Sequence, residues 1–572
     1  MFDLVSKDQS RSKLRVTTSL SRFRRDDEGS FVIFSLFIFI LMIIIGGLAI
    51  DLMRYENLRT TMQNTIDRAV LAAADLNQDV DPKVVVADYL DKAGMENLPY
   101  EVFVDDKKVG SDVVDRTVYV SSTVVMDTYF MKMIGTPELP VPVATKANEQ
   151  INDIEISLVL DVSGSMGWGT KLPEMKDAAS DFIDEVMLNT EPGRVSMSIV
   201  PYATQVNPGA DLASKFNITT EHTYSHCIEF ETEDFNTTEM KPGVLRQRFA
   251  HFDPFSNEDE GRVLVEDGGN WTPHWSCRTE DAFEITPWSI SPSTLKTQIN
   301  ALTAQGYTSI DVGTKWGTAL LDPSTATVVD GLVGDGVLNN KLSGRPSAYA
   351  DPNDDTQAEV LKFMIVMTDG VTTTEWKLDE DYRTGPSGFW RDPDSGRYSF
   401  AHQEVGDEDG DGISNEAFWL LDGHDEDYAS HFAAEIYDVD EDGDVAEEDD
   451  RNAYELDWTE VFASMSVRDY AHSAFREQTG SNQDYKDARN DTRANLAAGP
   501  KVTRLHAICK QARDAGIVIF SIGFEVTDDS ALVMQQCASS PNHFFRVDSE
   551  KFDIAYAFDA IANTINQLKL TQ

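Results

Sequence analysis

A run of 20 uncharged residues, Phe31 to Ile50 ("FVIFSLFIFILMIIIGGLAI"), constrains this chain more than any other feature. At about 1.5 Å per residue, a helix of that length reaches roughly 30 Å, the thickness of bilayer hydrocarbon. No face of it is polar, which argues against a core helix of a water-soluble domain. The run is longer than the apolar region of a signal peptide, and no A-x-A cleavage site directly follows it. Lys7, Arg11, Lys13, Arg15, Arg22, Arg24 and Arg25 precede it. The positive-inside rule therefore predicts a single-pass anchor with a cytoplasmic N-terminus and everything after residue 50 outside.

The rest of the chain changes texture twice. Residues 1–28 read as a basic cytoplasmic tail, and 29–75 as the membrane helix with an extension. In the extension Leu58, Met62, Ile66, Ala69 and Ala73 recur at helical spacing. Residues 76–150 read as a small α+β stalk module, with a helix near 83–93 and strand-like alternation across 99–148. From residue 154 continuous apolar strands ("IEISLVLD", "RVSMSIVPYA", "KFMIVMTDG", "IVIFSIGF") alternate with helical stretches near 172–188, 293–303, 310–321, 503–515 and 529–538. Strands buried on both faces and alternating with helices predict an α/β fold, a doubly wound and mostly parallel sheet, over 154–567. Segments 205–285, 323–357 and 371–500 break this rhythm and read as insertions.

Charge excludes one class of partner. With 98 acidic residues against 48 basic, the formal charge is −50, and no Arg/Lys stripe offsets it, so nucleic acid is not an expected partner. The four cysteines, Cys227, Cys277, Cys509 and Cys537, form no CxxC pair. An even number in an exported chain predicts two disulfides, with buried thiols as the alternative. Cys227 and Cys277 share one insertion, and Cys509 and Cys537 fall on neighbouring helices of the expected topology. The pairing 227–277 and 509–537 is therefore the one expected of the three possible.

Ligands of doubly wound sheets bind at the carboxyl ends of the strands. "LVLDVSGSM" places Asp161, Ser163 and Ser165 on the loop leaving the first such strand. Asp369 leaves a later strand in "VMTDG", and Thr308 lies in a loop just before a helix. Two carboxylates and three hydroxyls form a hard-oxygen set suited to Mg²⁺, Ca²⁺ or Mn²⁺. This D-x-S-x-S pattern, with a distant Thr and a TDG, resembles the von Willebrand factor A domain and its metal ion-dependent adhesion site (MIDAS). The resemblance implies that Asp161, Ser163, Ser165, Thr308 and Asp369 bind the metal directly or through water. It implies further that the metal accepts an acidic residue from a protein partner.

The N-terminal segment, with Gly29 before the apolar run, Asp51 closing it and "Q-x-x-x-DRAVLAAA" after it, resembles TadG-like proteins of the tight-adherence (Flp) pilus systems of bacteria. Gly313, Trp316 and Gly317, and the cysteines flanking "ARDAGIVIFSIGF", also resemble TadG-like domains. This resemblance implies the inner (cytoplasmic) membrane, with the bulk of the chain periplasmic, and a pilus or envelope component as partner. Phe34 stands where pilin-like precursors usually carry Glu, so an uncleaved anchor is expected.

Within 371–500, "DVDEDGDVAEED" resembles an EF-hand loop. Asp438, Asp440 and Asp442 fill its first acidic positions, Asp444 offers a carbonyl, and Asp449 stands where a bidentate Glu is usual. "DEDGDGISNE" repeats the spacing with Asp407, Asp409 and Asp411, and Glu416 completes it. So many carboxylates repel unless a cation intervenes, and Ca²⁺ is the expected one. No general base accompanies the first metal motif, and neither G-x-S-x-G nor HExxH occurs, so an enzyme is not expected. The expected function is metal-dependent protein binding or adhesion. The alternative is an envelope protein in which metal only orders the fold.

Overall fold

The computed structural model describes residues 28–254, 273–349, 360–391, 398–405, 415–420 and 454–570, apart from 77, 79, 110–111, 151–152, 189, 191–192, 371, 477–480 and 549–552. The chain divides into two compact units, Met1–Ile151 and Asn152–Thr571.

In the first unit the apolar run lies within one 47-residue helix, α1 (Glu28–Ala74), which extends for about 70 Å. It is long and apolar enough to cross a membrane. Its first half exposes Phe31, Phe34, Phe37, Ile40 and Ile45. Its second half buries Met62, Ile66, Ala69, Val70 and Ala73, one stripe at helical spacing. That stripe packs on α2 (Pro82–Lys92) and on an antiparallel sheet of β1 (Tyr100–Val109), β2 (Asp112–Asp127) and β3 (Glu138–Gln150). Asp81 starts α2 by accepting the amide of Lys83, and Pro82 supplies the fixed φ of a first helical residue.

The second unit begins with β4 (Ile154–Asp161), α3 (Lys171–Met187), β5 (Val195–Tyr202) and the short β6 (Thr286–Ser289). There follow α4 (Pro292–Ala301), α5 (Ile310–Ala319) and β7 (Leu361–Thr368). Then come six strands in an inserted segment: β8 (Glu375–Leu378), β9 (Pro386–Arg391), β10 (Tyr398–Val405), β11 (Asn415–Leu420), β12 (Tyr454–Asp457) and β13 (Arg493–Leu496). The chain ends with α6 (Ala498–Asp514), β14 (Val518–Phe524), α7 (Asp528–Cys537), β15 (Phe544–Val547) and α8 (Ile554–Leu570).

The main sheet has the order β15-β14-β7-β4-β5-β6. Every neighbouring pair is parallel except β5–β6. This is the doubly wound arrangement, with the strand order reversing at β4 and β7. Every residue of β4 and β5 is buried, Glu155 and the serines included, as in a sheet covered on both faces. Helices α3, α4 and α8 cover one face, through Phe182, Leu295, Ile299, Phe558 and Ile561 among others. Helices α5, α6 and α7 cover the other, through Trp316, Leu505, Ile508 and Met534. Cys509–Cys537 ties α6 to α7, and Cys227–Cys277 closes the β5–β6 segment, the two pairings expected from the sequence. The antiparallel edge strand β6 is an addition to the expected sheet, because four residues containing a Pro carry no strand signal. In the segment between β7 and α6, β8 pairs with β13, and β9 to β12 form a four-stranded sheet. Both rest on an aromatic cluster that includes Phe389, Trp458, Phe462 and Tyr470.

Candidate metal site

The switch between β4 and β7 is where the motif residues meet. Asp161 is the last residue of β4 and fully buried. Its Oδ1 accepts the amide of Ser163 at 2.8 Å, an Asx-type turn that bends the loop back over the strand end. A short 3₁₀ turn, Gly164–Gly167, follows. It sets the Ser163 and Ser165 hydroxyls 3.3 Å apart. Ser165 Oγ then donates to Asp369 Oδ1 at 2.7 Å across 204 residues of sequence. Thr368, at the end of β7, donates its hydroxyl to Asp161 Oδ2 at 2.7 Å. The Thr-Asp pair thus grips both halves of the first loop.

Thr308 arrives on a third loop. The Gly164 amide donates to Gly306 O at 2.9 Å, and the Gln305 amide to Val162 O at 3.0 Å. Gly306 has φ +90°, and a Cβ there would stand 3.0 Å from Thr204 Oγ1, so the turn needs glycine. Thr308 and Thr373 exchange bonds: the Thr308 amide donates to Thr373 Oγ1 at 2.9 Å, and the Thr373 amide to Thr308 O at 3.0 Å. Among the described residues the Thr308 hydroxyl makes no hydrogen bond of its own.

The charges explain what this arrangement can hold. Burial, then the nearby charge of Asp369, pushes the Asp161 carboxyl up to about 6. A cation between these two carboxylates relieves both effects. Lys171, the first residue of α3, supplies part of that charge, with Nζ 2.9 Å from Asp369 Oδ2 and 3.7 Å from Glu525 Oε2. Glu525 follows β14 with φ +55°, an uncommon conformation for a residue with a side chain. Behind the site Lys501 is fully buried and donates to Ser309 Oγ at 2.6 Å and Thr373 O at 3.1 Å.

Among the described residues no group of three or more His, Cys, Asp and Glu is placed so that it could hold a metal ion. A cation here would depend on the hydroxyls as well as the two carboxylates, and that mixed hard-oxygen set suits Mg²⁺, Mn²⁺ or Ca²⁺. Asp161, Ser163, Ser165 and Asp369 are brought into one hydrogen-bonded group, and Thr308 is carried to its edge by the 306–164 and 308–373 contacts. Sequence reasoning missed Lys171, Glu525 and Lys501. Thr368 was in view within "TDG", but nothing in the spacing marked it as a partner of Asp161. The expected calcium residues Asp407, Asp409, Asp411, Asp438, Asp440, Asp442, Asp444 and Asp449 lie outside the described residues. Glu416 lies on β11, paired in register with Glu404 of β10.

Residues 29–76 match the family described as putative Flp pilus-assembly TadE/G-like. This Tad segment covers the apolar run, Asp51 and the start of the first packed unit. Among solved structures, the chain is similar to the vWF domain of the type V pili tip protein Mfa5 from Porphyromonas gingivalis. The identity is 13%, covering 74% of this chain and 98% of that one, with TM-score 0.30. It is also similar to the pilus adhesin SpaC from Lactobacillus rhamnosus GG, at 13% identity over 83% of this chain and 35% of that one, with TM-score 0.29. A third is the adhesive tip pilin GBS104 from Group B Streptococcus agalactiae, at 13% identity over 82% and 68%, with TM-score 0.26. No curated protein sequence matches the chain.

Proposed function

We propose that this chain is a membrane-anchored binding protein associated with tight-adherence pili, and that it holds an acidic group of a protein partner through a divalent cation at Asp161, Ser163, Ser165, Thr308 and Asp369. The observation that carries the reading is the Ser165–Asp369 hydrogen bond, which closes the D-x-S-x-S loop onto the TDG loop. The Tad segment at 29–76 supports the pilus association. The apolar helix α1 supports a single-pass anchor. The orientation, with the N-terminus on the cytoplasmic side of the inner membrane and the bulk periplasmic, rests on the basic residues before the run and on the Tad segment. Two exposed aromatics, Trp168 and Tyr307, flank the motif on its first and third loops and offer apolar contact to the residues beside the partner's carboxylate.

The test is capture of envelope partners by the purified chain in Mg²⁺, Ca²⁺ or chelator, with Ser163→Ala/Ser165→Ala alongside. Metal-dependent capture that the double substitution abolishes, with unfolding unchanged, supports the reading. Equal capture in all conditions removes it. A purely structural role for the metal is disfavoured because Lys171 and Thr368 already engage Asp369 and Asp161. Ca²⁺ binding by the acidic segment is a separate proposal resting on its sequence pattern. Its test is limited proteolysis of 401–460, which Ca²⁺ should slow and chelator restore.

A further inference from the structure

Asp51 ends the apolar run, and its carboxylate is fully buried. It turns not toward solvent but onto the loop between β2 and β3. Oδ1 accepts the amide of Tyr129 at 3.0 Å, and Oδ2 accepts those of Phe130 and Met131 at 2.7 and 2.8 Å. Three convergent amides on one carboxylate form an anchored anion nest, and here the anion belongs to the helix. Arg54 reinforces the joint. It lies 3.5 Å from Asp51 Oδ1, donates to Asp127 O at 3.2 Å and stacks 3.9 Å over the Tyr129 ring.

The loop does not stop at the level of Asp51. Phe130 lies against Gly47, where a Cβ would come within 2.6 Å of the Phe130 Cβ, so the contact requires glycine. Gly47 is four residues before Asp51 and three inside the apolar run, about 5 Å below its end. The Met131–Ile134 3₁₀ turn follows, closed by Gly135 at φ +96°. The loop leaves its apolar side chains largely exposed: Tyr129 is 58% exposed, Met133 68% and Ile134 52%. On α1, Ile50, Leu52 and Met53 are exposed at the same level, so the helix is apolar beside the loop as well as below it. A Tyr and a Lys beside Met and Ile is the composition of a membrane–water boundary, where the ring and the long stem sit among headgroups.

We propose that the Tyr129–Ile134 loop inserts into the bilayer interface beside α1 and docks the small α+β unit onto the membrane surface. The inference rests on the reading that α1 crosses the membrane. The occupant of the apolar surface is then lipid, because a loop held at Gly47 is already at the depth of the apolar run. Anchored at two points, the unit leaves the membrane in one orientation rather than swivelling on a single helix.

The test uses the full-length chain, with its disulfides intact, in vesicles of phosphatidylcholine and phosphatidylglycerol. Nitroxide labels are placed at exposed Met133 (Met133→Cys), at Phe37 within the apolar run (Phe37→Cys) and at Leu71 on the later half of α1 (Leu71→Cys). Collision rates with oxygen and with a water-soluble nickel chelate are compared. The expected result is an oxygen-to-nickel ratio at 133 several-fold above that at 71 and approaching that at 37. A ratio at 133 equal to that at 71 places the loop in water and overturns the proposal. Low collision with both reagents means a protein covers the surface, and overturns it equally. If the label at 37 itself meets nickel freely, the membrane reading fails before the loop is judged.

Discussion

Lys171 Nζ lies 2.9 Å from Asp369 Oδ2, on the opposite oxygen from the one that accepts the Ser165 hydroxyl. The ammonium is mostly buried and has a second carboxylate, Glu525, at 3.7 Å. A divalent cation binding to Asp369 must therefore compete with a resident monovalent one. Lys171→Met is expected to tighten Mg²⁺ or Mn²⁺ binding by about tenfold, a change of about 1.4 kcal/mol, as read by calorimetric titration. The same variant should be less stable than the parent in chelator, because Asp161 and Asp369 then face each other without a cation. Unchanged affinity would show that Lys171 and the metal do not share Asp369.

Lys501 braces the Thr308 loop from α6, with contacts to Ser309 and Thr373 and with Glu375 Oε2 at 4.0 Å. Glu375 is itself buried and held by Gln205 at 2.7 Å. Burial raises the Glu375 carboxyl above its ordinary range, and Lys501 opposes that rise. Removing one partner of such a pair leaves an uncompensated buried charge, which costs about 3–5 kcal/mol. Lys501→Met should lower stability by that order in urea unfolding, and Glu375→Gln added to it should recover part of the loss. Additive losses would mean the two residues act independently.

How much of this was legible in the sequence divides along physical lines. The parallel strands were readable because burial on both faces leaves continuous apolar runs such as "FMIVM", and the loops at their ends inherit their position from the strands. That is why the sequence alone places Asp161 and Asp369 together. Lys171 and Lys501 were not readable. A lysine on an amphipathic helix looks like any solvated cation, and only the packing of α3 and α6 against strand ends turns these two inward. Asp51 is visible as the end of the apolar run, but its partners lie nearly 80 residues on, in a loop with no motif.

Gly313 tests the packing that carries Thr308. It lies in the first turn of α5, and a Cβ there would stand 2.7 Å from Tyr202 Cδ1 and 3.0 Å from Val159 Cγ1. Both neighbours are fully buried strand residues without room to yield. Gly313→Ala should therefore destabilise the second unit by about 1–3 kcal/mol, even though alanine is the better helix former. A thermal midpoint equal to or above the parent's would mean that α5 can lift from the sheet at little cost.

His251 gives the second unit an acid-sensitive point away from the metal site. The ring is buried among aromatic neighbours, 4.1 Å from Trp275 and 5.6 Å from Tyr224 by centroid, with His222 at 6.2 Å. Burial, then the proximity of His222, holds its pKa down at about 3. Between about 3 and the ordinary value of about 6.5 the unfolded chain binds the proton and the folded chain does not, so stability must rise with pH across that window. A tenfold difference in proton affinity is worth about 1.4 kcal/mol, so lowering the pH from 7 toward 4 should remove roughly 2–4 kcal/mol through this group. Carboxylates titrate in the same range, and the difference between parent and variant isolates the histidine. His251→Gln keeps a polar side chain and cannot take up a proton. Its urea unfolding free energy should fall less steeply than the parent's between pH 7 and pH 4. Parallel curves for the two proteins would mean that His251 titrates alike in the folded and unfolded chains.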